Sequence, residues 1–472
     1  MAIAATTSAI IPISDYRASH QGRFIQDRRF LLTLWQLAWP IALQNFLTYS
    51  VGLADNLMIG VLGEVALSAI FLVNQITNLL QMLTTGMSAA LLILSSQYWG
   101  RRQTEPVRQL VAICMRMSLA VTFILLLLAE ISPRMLLSCF TNEGAVIEAA
   151  VPFLRIVAAG YPLFVLSGVL ITSMRVIGQV KLGMVVSVLA LFTNLGLDFI
   201  LINGYLGFPA LGITGSAIGT LLAYILEFSI VATYVLTKDQ VLRLHPGILK
   251  QFEPKLSRDF IRYGSPIVLG DVLWGVNLAV QGAIVGRLGV AAIAAVTIAN
   301  NLFQLFSVLC YGMRDASSML VGQAVGQGDL SALKRLTRTL QLIFLAVGLV
   351  TGGLMFSLRQ PIMSLYHKLD PDTIRLCLQF LSILSVTVIG TAYQMSALTG
   401  IVRAGGATRF VLINDLIFVW LWVLPASALA AFVFKAAPTV VFALLKSDQI
   451  LKCLVAVVKT NRYTWVHRLT QD

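Results

Sequence analysis

Twelve long apolar stretches follow one another along this chain, and they limit its fold more than any other feature. They run over about 33–60, 64–96, 108–131, 147–173, 181–203, 211–236, 260–285, 290–322, 337–358, 373–400, 409–434 and 438–458. Each reaches the ~20 residues that a helix needs to cross a bilayer. Inside lipid every backbone N–H and C=O must be paired, and a helix does this within the segment. The alternating segments of ~10 residues that build a membrane β-barrel are not seen. Hydrophobic residues make up 58% of the 472 and charged residues 12%, which is more apolar surface than a soluble chain could keep from water. The expected fold class is an all-α polytopic membrane protein of twelve transmembrane helices.

Charge placement gives these spans a direction. With the N-terminus in the cytoplasm, 24 Lys and Arg fall on the inner side, six fall on the outer side, and Arg116, Arg155, Arg314 and Lys446 fall within spans. This follows the positive-inside rule and puts both termini in the cytoplasm of a multi-pass protein of the cell inner (plasma) membrane. The net charge of +13 is therefore topological, and no nucleic-acid partner is expected. The expected organisation is a cytoplasmic tail over 1–32, a six-helix lobe over 33–236, a cytoplasmic loop over 237–259, a second six-helix lobe over 260–458 and a cytoplasmic tail over 459–472. The first thirty residues read as a polar tail, with no basic start ahead of an apolar core. Five cysteines and four histidines are scattered without CxxC or HExxH spacing, so neither a disulfide framework nor a metal cluster of that kind is expected.

The two halves repeat. The stretch from Trp39, "WPIALQNFLTYSVGLADNLMIGVLGEVALSA", aligns without a gap at an offset of 226 with "SPIVLGDVLWGVNLAVQGAIVGRLGVAAIAA" from Ser265. Pro40 pairs with Pro266, Gly60 with Gly286, Asn74 with Asn300, Gly86 with Gly312, Gln97 with Gln323 and Gly100 with Gly326. Each half has an even number of spans, so both enter the membrane in the same direction, as parallel repeats. Transporters built this way hold substrate between their halves. No GxxxxGK[ST] nucleotide loop occurs, so uphill transport would have to draw on an ion gradient.

Ion coupling directs attention to carboxylates inside spans: Asp55, Asp198, Glu227, Asp271, Asp315, Asp415 and Asp448. Asp448 and Lys452 are spaced to pair on a helix, and Asp315 adjoins Arg314. Glu227, Asp271 and Asp415 have no basic neighbour close in sequence; of these, Asp271 and Asp415 are secondary candidates for the coupling site. Asp55 and Asp198 both lie roughly 8 Å inside the outer end of a span. Asn194 is one helical turn from Asp198, and Thr220 of the sixth span lies near the same depth. Such oxygens can ligate a small hard cation such as Na+, and two close carboxylates in apolar surroundings can equally hold a proton. Gln281 stands where the repeat would place a second Asp55, so the halves differ chemically. The glycines of "GITGSAIGT" at 212–220 read mainly as close helix packing.

Several motifs taken together resemble the multidrug and toxic compound extrusion (MATE) transporters over nearly the whole chain: the "P…D…IGVLG…AL" of the first span, "QYWG" after the second, "RVIGQ" at 175–179, "NLGLDFILING…FPALGITGSAIGT", "RAGGATR" at 403–409 and the "DQILK…W" ending. The resemblance implies a two-lobe, twelve-helix secondary antiporter, not an enzyme. It would export organic cations, amphiphilic drugs or toxic metabolites in exchange for H+ or Na+ by alternating access. In prokaryotic members with a cation site in the N-terminal lobe, the matching positions here are Asp55, Asn194, Asp198 and Thr220. They would serve as the proton-coupling residues, or as Na+ ligands if Na+ is the coupling ion. Another branch carries a glutamate eight residues after the proline of helix seven, where this chain has Trp274, and the pattern is closer to the DinF-like branch. No cofactor is implied beyond the coupling ion; the partners are a small organic cation or amphiphile, that ion and the bilayer, and the protein is expected to be a monomer. The alternative is a lipid-linked oligosaccharide flippase of related fold, which would favour a strongly basic central cavity, and in-span basic residues are few. A membrane enzyme has no DDxxD, Ser-His-Asp spacing or metal cluster to support it.

Overall fold

In the computed structural model the described residues are 24–25, 27–59, 64–250, 253–364 and 370–469. They are almost entirely helical. The long helices are α1 (Arg28–Ile59), α2 (Glu64–Gly100), α3 (Thr104–Ile131), then after a short α4 (Pro133–Ser138), α5 (Gly144–Val176), α6 (Lys181–Asn203), α7 (Ile213–Thr237), α8 (Pro254–Val285), α9 (Val290–Gln327), α10 (Leu330–Met363) and α11 (Pro371–Met395). The chain ends with α12 (Thr408–Asp415), α13 (Leu424–Ala428), α14 (Pro438–Leu445) and α15 (Asp448–Arg462). Wider π-helical turns continue α11 over Ser396–Val402, join α12 to α13 over Leu416–Val423, and follow α13 over Leu429–Val433. Such turns are uncommon and gather at functional sites. Among the described residues, eleven helical segments are long and apolar enough to cross a membrane.

The last apolar stretch, 438–458, is divided. Lys446, Ser447 and Asp448 interrupt it, and α14 closes with tight bonds from Lys446 N to Ala443 O (3.2 Å) and from Ser447 N to Leu444 O (3.1 Å). The segment after 236 is also more ordered than a plain loop. The Asp239 carboxylate accepts from the backbone N–H groups of Val241, Leu242 and Arg243, Arg108 donates to the Leu242 carbonyl, and α8 begins at Pro254 rather than near 260. Residues 1–23, most of the expected N-terminal tail, and Gly60 of the repeat lie outside the described residues.

The chain forms two compact units. One comprises Leu43–Ser95 and Gln103–Gly264; the other joins 27–42, Ser96–Arg102 and 265–469. In the first, Phe153, Leu154 and Tyr161 of α5 pack with Ile70, Val73 and Leu80 of α2 and Ala217 of α7. Tyr161 Oη and Thr77 Oγ1 share a hydrogen bond of 2.9 Å, which satisfies the phenol inside this apolar cluster. In the second, Phe380 and Phe442 stack with ring centroids 4.3 Å apart beside Met355 and Leu384, and a separate cluster gathers Ile284, Val285, Val419, Val423 and Val441.

The repeat leaves a physical trace in the second unit. A Cβ on Gly100 would collide with the Gln323 carbonyl, and a Cβ on Gly326 would collide with the Gln97 carbonyl. The ends of α2 and α9 therefore meet reciprocally, each glycine opening room for the backbone of the other helix. The paired Gly and Gln of the sequence are the two sides of that contact. Gln97 also ties the turn before α12 to the segment after α15: its Nε2 donates to the Ala404 carbonyl (3.1 Å), and its Oε1 accepts from Leu469 N (2.9 Å).

Candidate cation site in the first unit

α6 carries its polar residues inward and its aromatic residues outward. Phe192 is 68% exposed and Phe199 54%, whereas Asn194 is buried and Asp198 is 0% exposed. A soluble helix shows the reverse pattern; this one is stable where its outer face meets hydrocarbon. The one-turn spacing of Asn194 and Asp198 sets both on the interior face. α6 ends on Gly204 in the left-handed region (φ 75°), and Leu211 N then donates to the Leu201 carbonyl (2.9 Å). This short turn brings α7 back alongside α6.

α7 fits that face through small residues. A Cβ on Gly215 would strike the Leu201 backbone, so Gly215 is a packing glycine, as the sequence suggested. Gly219 has a further role: a Cβ there would run into Asp198 Oδ1, so its absence makes space for the carboxylate. Ser216, one turn before Thr220, donates from Oγ to Asp198 Oδ2 at 3.2 Å. Asn194 Oδ1 is buried and has no hydrogen-bond partner among the described residues. Thr220 follows Gly219 on α7 and is half-buried. Asp55 lies in α1, and its side chain falls outside the described residues. The structure places Asn194 and Asp198 on one buried face, adds Ser216, which the sequence reading passed over, and sets Gly219, read there as a packing glycine, against the carboxylate. The signal for Ser216 was available: it sits within one turn of Thr220 on a helix whose glycine spacing marks a tightly packed face.

This set can hold a small cation through carboxylate, amide and hydroxyl oxygens, or a proton on Asp198. A buried carboxylate is costly in its ionised form unless it is paired, and either positive partner would offset that cost.

The secondary candidates sit in the second unit, and both have found basic partners far along the chain. Arg403 Nη1 lies 3.3 Å from Asp271 Oδ1, and its Nη2 donates to the same oxygen and to the Ile267 carbonyl. Lys452 Nζ lies 2.7 Å from Asp415 Oδ1 and 3.2 Å from Asp448 Oδ2, so the anticipated Asp448–Lys452 pair exists as part of a triad. Gln449 Nε2 donates to Asp448 at 3.0 Å, and Gln449 Oε1 accepts from Thr391 and Gln394. Arg314 pairs with Asp315 at 2.8 Å, also as spaced in the sequence. Arg155 lies 3.7 Å from Glu130, and Arg116 donates to the Leu249 carbonyl, so all three arginines expected inside spans have protein partners. Glu227 is half-buried on α7.

Comparison with known proteins fits this architecture. The MatE family model matches residues 40–200 and 266–429, two segments whose starts repeat the internal offset of 226. A Thermotoga maritima protein named as a probable multidrug resistance protein NorM is 26% identical over 402 residues, covering 84% of each chain. Among solved structures, an outward-facing multidrug resistance MATE transporter of the MOP superfamily superposes with TM-score 0.82 at 19% identity, over 91% of this chain and 95% of that one. The Vibrio cholerae MATE transporter VcmN, as a point variant, superposes with TM-score 0.84 at 18% identity, over 93% and 98%. A MOP superfamily transporter from Pyrococcus furiosus, whose binding pocket is described as having reverse polarity, gives TM-score 0.82 at 18% identity, over 93% and 96%.

Proposed function

Given that the chain belongs to the MatE family, we propose that it is a secondary antiporter that exports organic cations or amphiphilic drugs in exchange for H+ or Na+, coupled through Asp198. The observation that carries this reading is the fully buried Asp198 with Asn194 one turn away and the Ser216 hydroxyl upon it, enclosed by apolar helices. Asp55 and Thr220 complete the proposed oxygen set from α1 and α7. The ion acts by binding one conformational state more tightly than the other; equal affinity would shift nothing. Proton or Na+ entry at Asp198 offsets the cost of burying its charge, so the state that buries Asp198 more deeply would bind the ion more tightly. We place both termini in the cytoplasm of a plasma-membrane protein, on the charge asymmetry of the loops, and take the protein to act as a monomer. A lipid-linked oligosaccharide is not favoured as substrate, since Arg155 and Arg314 are engaged by Glu130 and Asp315 rather than gathered around an open phosphate site.

The test is accumulation of a fluorescent organic cation in inside-out vesicles under separately imposed pH and Na+ gradients. Wild type should accumulate the dye, and the effective gradient names the ion. Asp198→Asn should lower gradient-driven accumulation by about tenfold or more while the protein remains folded in the membrane. Accumulation at the wild-type rate by this variant would remove Asp198 from the coupling site.

A further inference from the structure

In the second unit α10 and α15 run antiparallel, the start of one beside the end of the other. Asn461 Nδ2 donates to Gln341 Oε1 (3.2 Å), and Thr337 Oγ1 and Tyr463 Oη share a hydrogen bond of 3.2 Å. α11 packs against both helices, and its Tyr393 Oη donates to Gln341 Oε1 at 2.7 Å, so a third helix backs this bridge.

Beside the bridge each helix turns outward a stripe of the same make-up. On α10, Arg338 is followed by the exposed Leu342 and Leu345; on α15, Arg462 is preceded by the exposed Val458 and Leu454. By helical period Arg338, Leu342 and Leu345 lie within about 60° of arc, and Leu454, Val458 and Arg462 within about 80°. The antiparallel course sets both stripes on the same side of the Gln341–Asn461 bond. The result is an outward seam with apolar walls and a cationic mouth. Lys334, one turn before Arg338, adds to the mouth: its Nζ stands 5.4 Å from the centre of the Tyr463 ring, and Tyr463 follows Arg462 in the chain.

Basic residues at this end of the helices follow from the charge asymmetry of the chain. Two further features point to a ligand. First, the protein leaves these cations without counter-charge. Among the described residues Lys334, Arg338 and Arg462 enter no ion pair, whereas Arg314, Arg403 and Lys452 of the same unit all do. α10 contains no carboxylate, and α15 contains none after Asp448 at its first position. Asp329, just ahead of α10, is turned to the backbone of Ser331 and Ala332. Second, the cations converge from two helices at the mouth of a seam whose walls are hydrocarbon. A free phosphate would use the mouth alone and a zwitterionic lipid mainly the walls; an anionic phospholipid uses both.

We propose that this seam binds an anionic phospholipid of the surrounding leaflet, with its phosphate among Lys334, Arg338 and Arg462 and an acyl chain along Leu342, Leu345, Leu454 and Val458. The lipid fastens the start of α10 to the end of α15. The site goes beyond the antiport reading, because no residue of the seam takes part in coupling and the lipid is neither cargo nor coupling ion.

The experiment is native mass spectrometry of the full-length protein released from detergent micelles, with phosphatidylglycerol, phosphatidylcholine of the same acyl chains, or glycerol 3-phosphate added. Wild type should hold phosphatidylglycerol about tenfold or more tighter than phosphatidylcholine, and should not hold glycerol 3-phosphate. Each cation removed should weaken phosphatidylglycerol about fivefold, so the triple variant Lys334→Gln, Arg338→Gln, Arg462→Gln should lose the preference. Val458→Trp fills the seam and keeps every charge; it should also weaken phosphatidylglycerol, and it decides the matter if the triple variant does not fold. The control removes three exposed cations from the start of α8, as Lys255→Gln, Arg258→Gln, Arg262→Gln, and should bind as wild type. Equal affinity for the two lipids, or wild-type binding by the triple variant or by Val458→Trp, would overturn the proposal. So would an equal loss in the α8 control, which would show a general attraction to positive charge, or retention of glycerol 3-phosphate as tightly as the lipid, which would show a plain anion site. Asp198→Asn should keep the lipid while losing gradient-driven transport, so failure of the seam and failure of the coupling site are read separately.

Discussion

Asp198 and Asp415 are both carboxylates within apolar helices, yet the protein treats them in opposite ways. Asp198 is wholly enclosed and accepts from the Ser216 hydroxyl of α7. Asp415 remains partly open and is met by a buried lysine. A carboxylate met by a hydroxyl can exchange its charge with a proton or a metal ion, since a hydroxyl does not neutralise it. A carboxylate held by a lysine has a permanent counter-charge and keeps its own. The first arrangement suits a group that gains and loses an ion during a cycle. The second suits a fixed charge whose ion pair ties helices together.

The sharpest way to break this contrast is Lys452→Met. Removing the ammonium leaves Asp448 and Asp415 without their shared cation, and loss of one partner from a buried network costs about 3–5 kcal/mol. A large fall in the midpoint of thermal unfolding in detergent is expected, with partial recovery on adding Asp448→Asn. Asp198→Asn should melt near wild type in the same assay; a drop comparable to that of Lys452→Met would erase the distinction.

Glycine substitutions come next. Gly219→Ala drives a methyl into Asp198 Oδ1, and Gly100→Ala drives one into the Gln323 carbonyl. Overpacking of this kind costs about 1–3 kcal/mol in either place. Only Gly219→Ala should also change the ion-concentration dependence of transport, and an equal change in both variants would show that it follows from instability alone.

Ser216→Ala is a milder probe of the Asp198 surroundings. Loss of its hydrogen bond should cost about 1 kcal/mol and raise the ion concentration needed for half-maximal transport. Transport kinetics with unaltered ion dependence would place Ser216 outside the functional set.

The smallest effect concerns a carboxylate at the start of α10, outside the spans, which gives a surface reference. Asp329 caps the helix: its side chain accepts from Ser331 Oγ and from the backbone N–H groups of Ser331 and Ala332, and these bonds hold its carboxyl below the ordinary range. Its stabilisation is therefore full above the ordinary carboxylate pKa and is lost as pH falls through the depressed one. Asp329→Ala should cost at most about 1 kcal/mol, and it should remove that acid-side dependence from hydrogen exchange at the first turn of α10.

Much of the molecule was legible before any coordinates. Asn194 and Asp198 could be placed on one face because a helix of known period runs through them. The Gly and Gln pairs at 97–100 and 323–326 marked the internal repeat, and only the structure showed that each glycine makes room for the other helix's carbonyl. Ser216 was passed over because a serine among glycines in a membrane helix looks like packing until its neighbour is known. Asp271 and Asp415 had no basic residue near in sequence; their partners lie 132 and 37 positions away. Arg403 is half-buried against Asp271, and Lys452, expected to pair with Asp448, is buried and holds Asp415 as well.

The sequence by itself determined the apolar spans, the charge asymmetry between their connections, the internal repeat and the polar face of α6. All of these follow from properties local to a segment: hydropathy over ~20 residues, helical period, and side-chain type at a fixed spacing. Only the tertiary structure decided which carboxylates carry a counter-charge, which face an opening and which glycine makes room for an acid. Those outcomes depend on which helices become neighbours, and Coulomb energy is set by distance in space, not by separation along the chain.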